Sequence, residues 1–324
     1  MKTPLLTIAG KEIRDAFREK TFLILGSALA VLVVVSVLTA SFKFHDEVAL
    51  YQQAVDQLKA AGQPTDILTI PQYSPLQMLR ASIEYIEIIG AVLAIVLGYL
   101  SVARERRSRA LPLVLTRPIS RARFVSGKIL GGAILLSALV AVFAVFAGAA
   151  VTLIGSVPLS GAEIVKLCVA AVAALVYLMI FFLISLTLAG IVRNLPTALI
   201  LALVLWVLFV LVLPQIGDTM DVDNQVPGGL FNSLHLSKDA EHAVTGQLQF
   251  YEWIRNATEV ASPTKHLERF DFAVLGIKDI YNGRPLAAIL AERWDNITVL
   301  AAVFTAAIAT TYYTLIKKTP IWRN

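Results

Sequence analysis

Six separated blocks of apolar residues, at 22–41, 83–102, 129–154, 167–192, 197–213 and 297–316, constrain this chain more than any other feature of its 324 residues. Each is close to the roughly 20 residues a helix needs to cross about 30 Å of hydrocarbon. In lipid such a block must satisfy its own backbone hydrogen bonds, and without period-2 alternation there are no strands to close a barrel. The expected fold is therefore an all-α integral membrane protein with six transmembrane helices. Composition points the same way: 57% of the residues are hydrophobic and 16% charged, where a soluble domain carries about 25% charged residues. A mean hydropathy of +0.72 also excludes intrinsic disorder, which needs low hydrophobicity and high net charge. The first block is expected to stay as an anchor, because it is longer than the roughly 7–15 apolar residues of a cleavable signal.

Charge sets the orientation. Segments 1–20, 103–128, 193–196 and 317–324 hold 17 of the 28 Lys and Arg but four of the 23 Asp and Glu, namely Glu12, Asp15, Glu19 and Glu105. Lys and Arg are retained on the cytoplasmic side, so the expected topology is N-in and C-in, in a multi-pass protein of the cytoplasmic membrane. The net charge of +5 then reflects orientation and contact with the lipid bilayer, not nucleic-acid binding. Residues 1–21 are expected as an amphipathic interfacial helix, with Leu6, Ala9, Ile13 and Phe17 on one face and Lys11, Arg14, Asp15 and Arg18 opposite. Residues 22–213 hold spans 1–5, with an outer loop at 42–82 and a cytoplasmic loop at 103–128. Residues 214–296, too many for a structureless connection, are expected as an extracytoplasmic helical cap with amphipathic helices over 239–260 and 265–280, separated by Ser262 and Pro263. Span 6 at 297–316 and a cytoplasmic tail at 317–324 complete the chain.

Several chemistries lack their residues. There is no phosphate-binding G-x-x-x-x-G-K-[ST] loop, no H-E-x-x-H and no G-x-S-x-G. His45, His235, His242 and His266 all lie outside the blocks, and spacings of 7 and 24 between the last three match no zinc signature. No catalytic residue, metal or cofactor is expected, and no enzymatic activity. Asn256-Ala-Thr258 and Asn296-Ile-Thr298 fit the glycosylation sequon. The single cysteine, Cys168, has no disulfide partner and is expected as a packed small hydrophobe. Glu84 and Glu87, three apart on one helix face, allow two readings: a buried proton or cation site on a transport pathway, or exposed carboxylates favoured by the dipole at a helix start.

The stretch from Ala103 to Lys128 combines dense basic charge with an apolar cluster, Leu111, Leu113, Val114 and Leu115, followed by Thr116-Arg117-Pro118-Ile119-Ser120-Arg121. Orientation alone requires the charges, not the apolar ridge. A short helix ending before Pro118 and offering Leu113 and Leu115 to a groove is a helix-in-groove docking element.

This stretch resembles the permease subunits of ABC transporters of the ABC-2 type, in which an acidic residue opens a segment closed by a Leu-Leu-(Ser/Thr)-x-Pro-(Ile/Val)-(Ser/Thr)-Arg box and then Gly-Lys. Glu105 stands at the acidic position, 115–121 form the box, and Gly127-Lys128 close it; Arg109-Ala110 stand where the family often has Gly-Thr. Lys11-Glu12-Ile13 through Phe22 resemble the family's elbow helix, 192–198 its tight turn between spans 4 and 5, and Ala261-Ser262-Pro263 an element before its last span. In style the chain is similar to the permeases linked to maturation of copper enzymes such as nitrous oxide reductase.

The resemblance implies a partner ABC ATPase subunit that binds ATP and Mg, a second permease subunit forming a homodimer, and ATPase coupling through Glu105, Leu111, Leu113, Leu115, Thr116, Arg117, Pro118, Ser120 and Arg121. The alternative is a structural or assembly subunit whose outer segment docks an extracytoplasmic protein partner.

Overall fold

The computed structural model describes residues 4–18, 20–61, 75–107, 120–153, 158–220, 230–234, 243, 246 and 248–317. Its principal helices are α1 (Pro4–Arg18), α2 (Thr21–Ala60), α3 (Pro75–Arg107), α4 (Arg121–Leu153), α5 (Gly161–Ile191), α6 (Leu195–Met220), α7 (Gln249–Val260), α8 (Pro263–Val274), α9 (Leu286–Glu292) and α10 (Trp294–Lys317). Among the described residues there is no strand. Six helices are long and apolar enough to cross a membrane, one for each expected block. The protein is an all-α integral membrane protein.

The helices overrun their apolar blocks. α2 continues to Ala60 and α3 starts at Pro75, so the described parts of the 42–82 segment are largely helical. Apolarity marks only the lipid-immersed length of a helix, whereas the backbone ladder continues through polar residues.

α3 and α5 form the centre of the bundle. Within their most apolar windows 67% and 50% of residues are buried, against 17% for both α6 and α10. Small residues let the central helices meet closely: Gly98 of α3 lies on the backbone of Phe182 in α5, and Gly132 of α4 lies under the Phe182 ring, so that a Cβ at either position would overlap it. Ser185 Oγ donates to the Ile95 carbonyl at 2.7 Å, and Thr187 meets Thr311 of α10 at 2.8 Å. Cys168 is exposed on α5, a correction to the packed position expected for it. On a membrane span an apolar side chain can be covered by lipid and needs no protein neighbour.

α8 enters the bundle instead of standing above it. Lys265, His266, Leu267, Phe270 and Asp271 are all buried, and the helix packs against α3, α5 and α10. Two π-helical turns, Ile86–Gly90 in α3 and Val207–Val212 in α6, lie beside its start. Such turns release carbonyls from the regular ladder, and here outside hydroxyls take them. Tyr177 donates to the Glu87 carbonyl at 2.9 Å and lies 3.1 Å from the Thr264 hydroxyl; Ser262 donates to the Phe209 carbonyl.

α8 stops at Val274, short of the expected 280. Gly276 follows with a φ of 65°, and Ile277 N–H returns to the Phe272 carbonyl at 2.9 Å, a glycine-dependent C-cap. The His266 nitrogens lie 2.9 Å from Asn296 Oδ1 and 3.0 Å from the Val260 carbonyl. Asn296 is 1% exposed, so the second sequon is enclosed by α8 packing, whereas Asn256 is exposed.

Candidate functional site

The candidate coupling stretch lies in sequence between the end of α3 at Arg107 and the start of α4 at Arg121. Leu111, Leu113, Leu115, Thr116, Arg117 and Pro118 lie outside the described residues; Glu105, Ser120 and Arg121 lie within them.

Glu105, in the last turn of α3, is 3% exposed. A carboxylate buried to that degree is costly unless paired and hydrogen-bonded. Its Oε1 lies 3.0 Å from Lys11 Nζ of α1 and its Oε2 3.0 Å from Lys128 Nζ of α4. Lys128 also lies 2.7 Å from Glu12 Oε1 and donates to the Ser101 carbonyl at 2.6 Å. The three protons of its ammonium thus find three oxygens. Phe124 adds a ring face 4.9 Å from Nζ. Arg104 completes the group, 3.6 Å from Glu12 and 3.9 Å from Asp15. Lys11, Arg104 and Lys128 therefore balance Glu12, Asp15 and Glu105 across three helices. Burial by itself would lower the Lys11 pKa, but Glu105, with Glu12 and Asp15, holds it above the ordinary lysine value.

Close approach of α1 depends on Gly127 and Gly131, one turn apart on α4. A Cβ there would fall 2.7 Å from Ile8 Cβ and 2.8 Å from Glu12 Cβ. The face of α1 against α4 is accordingly Ile8, Ala9, Glu12 and Ala16, while Leu6 and Phe17, expected to share the apolar face with Ala9, are 52% and 47% exposed. Glu12 faces inward because its partner waits on another helix, which a helical wheel of α1 alone does not contain.

The two described members of the box are tied to the same end of the bundle. Ser120 caps α4, its Oγ accepting from Arg123 N–H at 3.3 Å. Arg121 Nη1 donates to the Ile316 carbonyl at 3.4 Å, placing a cation at the C-terminal end of α10 where the helix dipole favours it. Arg106, given no role from the sequence, does the same for α5, donating to the carbonyls of Ala189, Val192 and Arg193 at 2.9, 2.8 and 2.6 Å.

Glu12 and Arg104 were also without assigned roles, and Lys11 and Asp15 were expected only on the polar face of the interfacial helix. A signal for them did exist: three of the four acids in the basic segments, Glu12, Asp15 and Glu105, converge here. The arrangement is an ion cluster that ties both helices flanking residues 108–119 to α1.

The profile of the ABC-2 family transporter proteins matches residues 6–319, nearly the whole chain. The chain belongs to the ABC-2 family. Compared with curated proteins, it has no match. Membership with six apolar spans makes it a multi-pass permease component of an ABC transporter in a cell membrane, and implies partnership with an ABC ATPase subunit.

At the other end of α3 of this ABC-2 permease, the acidic pair is divided. Glu84 has a half-exposed side chain and lies 3.4 Å from Arg80. Glu87 is 4% exposed, and its Oε1 has no hydrogen-bond partner among the described residues. The wider π-helical turn beginning at Ile86 turns Glu87 inward from its neighbour. Asp271 of α8 likewise has an unpartnered Oδ1 and lines a cavity of about 50 Å³ walled by Val33, Ile83, Val140, Phe143 and Ala147. Among the described residues no group of three His, Cys, Asp or Glu is placed to hold a metal ion.

Proposed function

We propose that this permease passes the ATP-driven movement of a separate ATPase subunit into its spans and so moves a substrate across the membrane. One observation carries the reading: Glu105 and Lys128, on the two helices that flank the docking stretch, share a buried ion cluster with Glu12 of α1. In this reading the chain is N-in and C-in, and residues 103–128 face the cytosol. Leu111, Leu113, Leu115, Thr116, Arg117, Pro118, Ser120 and Arg121 form the contact with the ATPase, which binds ATP and Mg. Glu105 acts behind that contact as a positioning residue, its carboxylate being engaged by Lys11 and Lys128. Two permease copies pair as a homodimer over two ATPases, and closure of the ATPases shifts the α3 and α4 ends with α1.

The test uses the reconstituted permease–ATPase assembly. Leu113→Asp with Leu115→Asp should abolish co-purification of the ATPase while the permease still inserts; unchanged association removes the docking role. Lys128→Met should keep the ATPase bound but lose the nucleotide-dependent change in distance between spin labels on α2 and α6; an unaltered change removes the transmission role.

Within the proposal, Glu87 is the member of the acidic pair placed on the substrate path, and Glu87→Gln should alter transport where Glu84→Gln does not. Equal effects of the two variants would remove that assignment. Cargo of the kind used in copper-enzyme maturation is the corresponding reading of the subgroup. It requires nitrous oxide reductase activity to fall when the permease is deleted from a host that has that enzyme.

A further inference from the structure

Asp271 is a carboxyl that the fold buries without giving it a counter-charge. It is 2% exposed, and its Oδ1 has no hydrogen bond among the described residues. The cations of the neighbouring segments are already engaged. Lys265, on the same helix, lies 2.8 Å from Asp218 and 2.9 Å from Glu268, and Arg269 donates to Glu259. Arg80 of α3 lies over the Phe272 ring at 5.5 Å and is 3.4 Å from Glu84. On α5, Lys166 donates to the Arg284 carbonyl at 2.9 Å. Glu87, the other buried carboxyl of this region, stands within electrostatic reach of Asp271 and adds a second negative charge.

The cavity that Asp271 lines accounts for more than a proton. Its walls come from four spans, with Val33 of α2, Ile83 of α3, Val140 and Phe143 of α4 and Ala174 of α5. A volume of about 50 Å³ admits roughly three to five water-sized groups at roughly 10–15 Å³ each. The other polar side chain on the wall is Ser82, whose hydroxyl donates to Ser36 at 3.4 Å. Water molecules there would each need two to four polar partners, and apolar walls with one carboxyl do not supply them. A hard metal cation takes about six oxygen ligands, whereas no group of three His, Cys, Asp or Glu comes together among the described residues. A proton would neutralise Asp271 but makes no use of the apolar walls. Both demands are met by a ligand with an aliphatic body, which the walls take out of water, and a charged N–H group, which a carboxylate accepts in a short, strong hydrogen bond.

We infer that this cavity is a binding site for a small aliphatic ammonium ion, its N–H donated to Asp271 and its hydrocarbon body packed against Val33, Ile83, Val140 and Phe143. A carboxylate buried without a partner is costly, and the incoming cation removes that cost. Selectivity follows from the same geometry: a neutral alcohol of equal shape brings no charge, and a bare inorganic cation brings no apolar body. The site lies where α8 meets α2, α3, α4 and α5, so the bound ion would fasten α8 to four spans. The inference rests neither on the ATPase contact nor on Glu87 as part of a substrate path.

The experiment follows thermal unfolding of the detergent-solubilised full-length permease at pH 7 with increasing n-propylammonium chloride. Sodium chloride and propan-1-ol at the same concentrations are the controls. Propylammonium should raise Tm saturably, because a ligand that binds only the folded state stabilises it, and neither control should do so. Asp271→Asn keeps the shape and should weaken the apparent affinity by at least about tenfold, the worth of a hydrogen bond to a charged group. Ala147→Leu, which fills the cavity from α4, should abolish the shift with the carboxyl still in place. The two variants alter charge and volume separately, so if one fails to fold the other still reads the site. Absence of a rise with propylammonium, a rise matched by sodium chloride, or a rise kept in full by either variant would overturn the inference. A rise matched by propan-1-ol would mean an apolar void in which the charge has no part, and overturn it equally.

Discussion

Lys128 shows how much one side chain carries when its whole environment is buried. Lys128→Met would leave Glu12 and Glu105 facing each other without their shared cation. Breaking a buried ion pair from one side costs about 3–5 kcal/mol, so the Tm of the detergent-solubilised permease should drop sharply. Adding Glu12→Gln alone should recover part of that loss, because two cations, Lys11 and Arg104, then again face two anions, Asp15 and Glu105. Lys11 is different, being half exposed in its side chain. Its raised pKa means that its stabilisation is complete below the ordinary lysine value of 10.5 and fades only as pH rises through the folded-state value. Lys11→Met should therefore lower Tm by the same increment at every pH from 6 to 9; an increment that varies across that range would contradict the pairing.

At the level of helices, the notable devices are the two π-helical turns, each with a carbonyl taken by a hydroxyl from another segment. Tyr177→Phe removes the bond to Glu87 and the partner of Thr264 together, and should cost about 1–3 kcal/mol, the usual penalty for leaving a buried polar group unmatched. Thermal unfolding of the variant measures it. Close helix contact gives a second prediction. Gly131→Leu would drive α1 off α4 at Glu12 and separate the ion cluster, so it should destabilise the protein and release α1 to limited proteolysis, whereas Gly10→Ala, with open space around it, should do neither. An α1 equally protected in both variants would show that the glycine contact does not hold it.

For the molecule as a whole, the decisive properties are sidedness and partnership. R117C in intact cells should react with a membrane-impermeant maleimide only after the cytosol is opened; labelling from outside would invert the proposed orientation and with it the docking surface. The same orientation places α7 and α8 at the outer face, so a tag inserted near residue 234 should be accessible without permeabilisation.

The six spans were legible in the sequence because hydrophobic length is a local property: a block of apolar residues is sorted into lipid whatever its neighbours do. A docking role for residues 103–128 is an expectation the sequence supplies because their charges and leucines lie close together in the chain; of that stretch the structure describes 103–107 and 120–128. The ion cluster was not legible, since Glu12, Glu105 and Lys128 are joined only when α1 lies in the groove left by Gly127 and Gly131, and a helical wheel contains no third dimension. For the same reason Glu84 and Glu87 shared a face on a regular helix but part at a π-helical turn, whose released carbonyl is met by Tyr177 from another span. By itself the sequence determined which segments enter the membrane, since that depends on transfer free energy summed along the chain. Which charges are neutralised, and which carboxyl is left beside a cavity, was decided by the tertiary structure alone, because a charge is stabilised by whatever packing brings within a few ångströms of it.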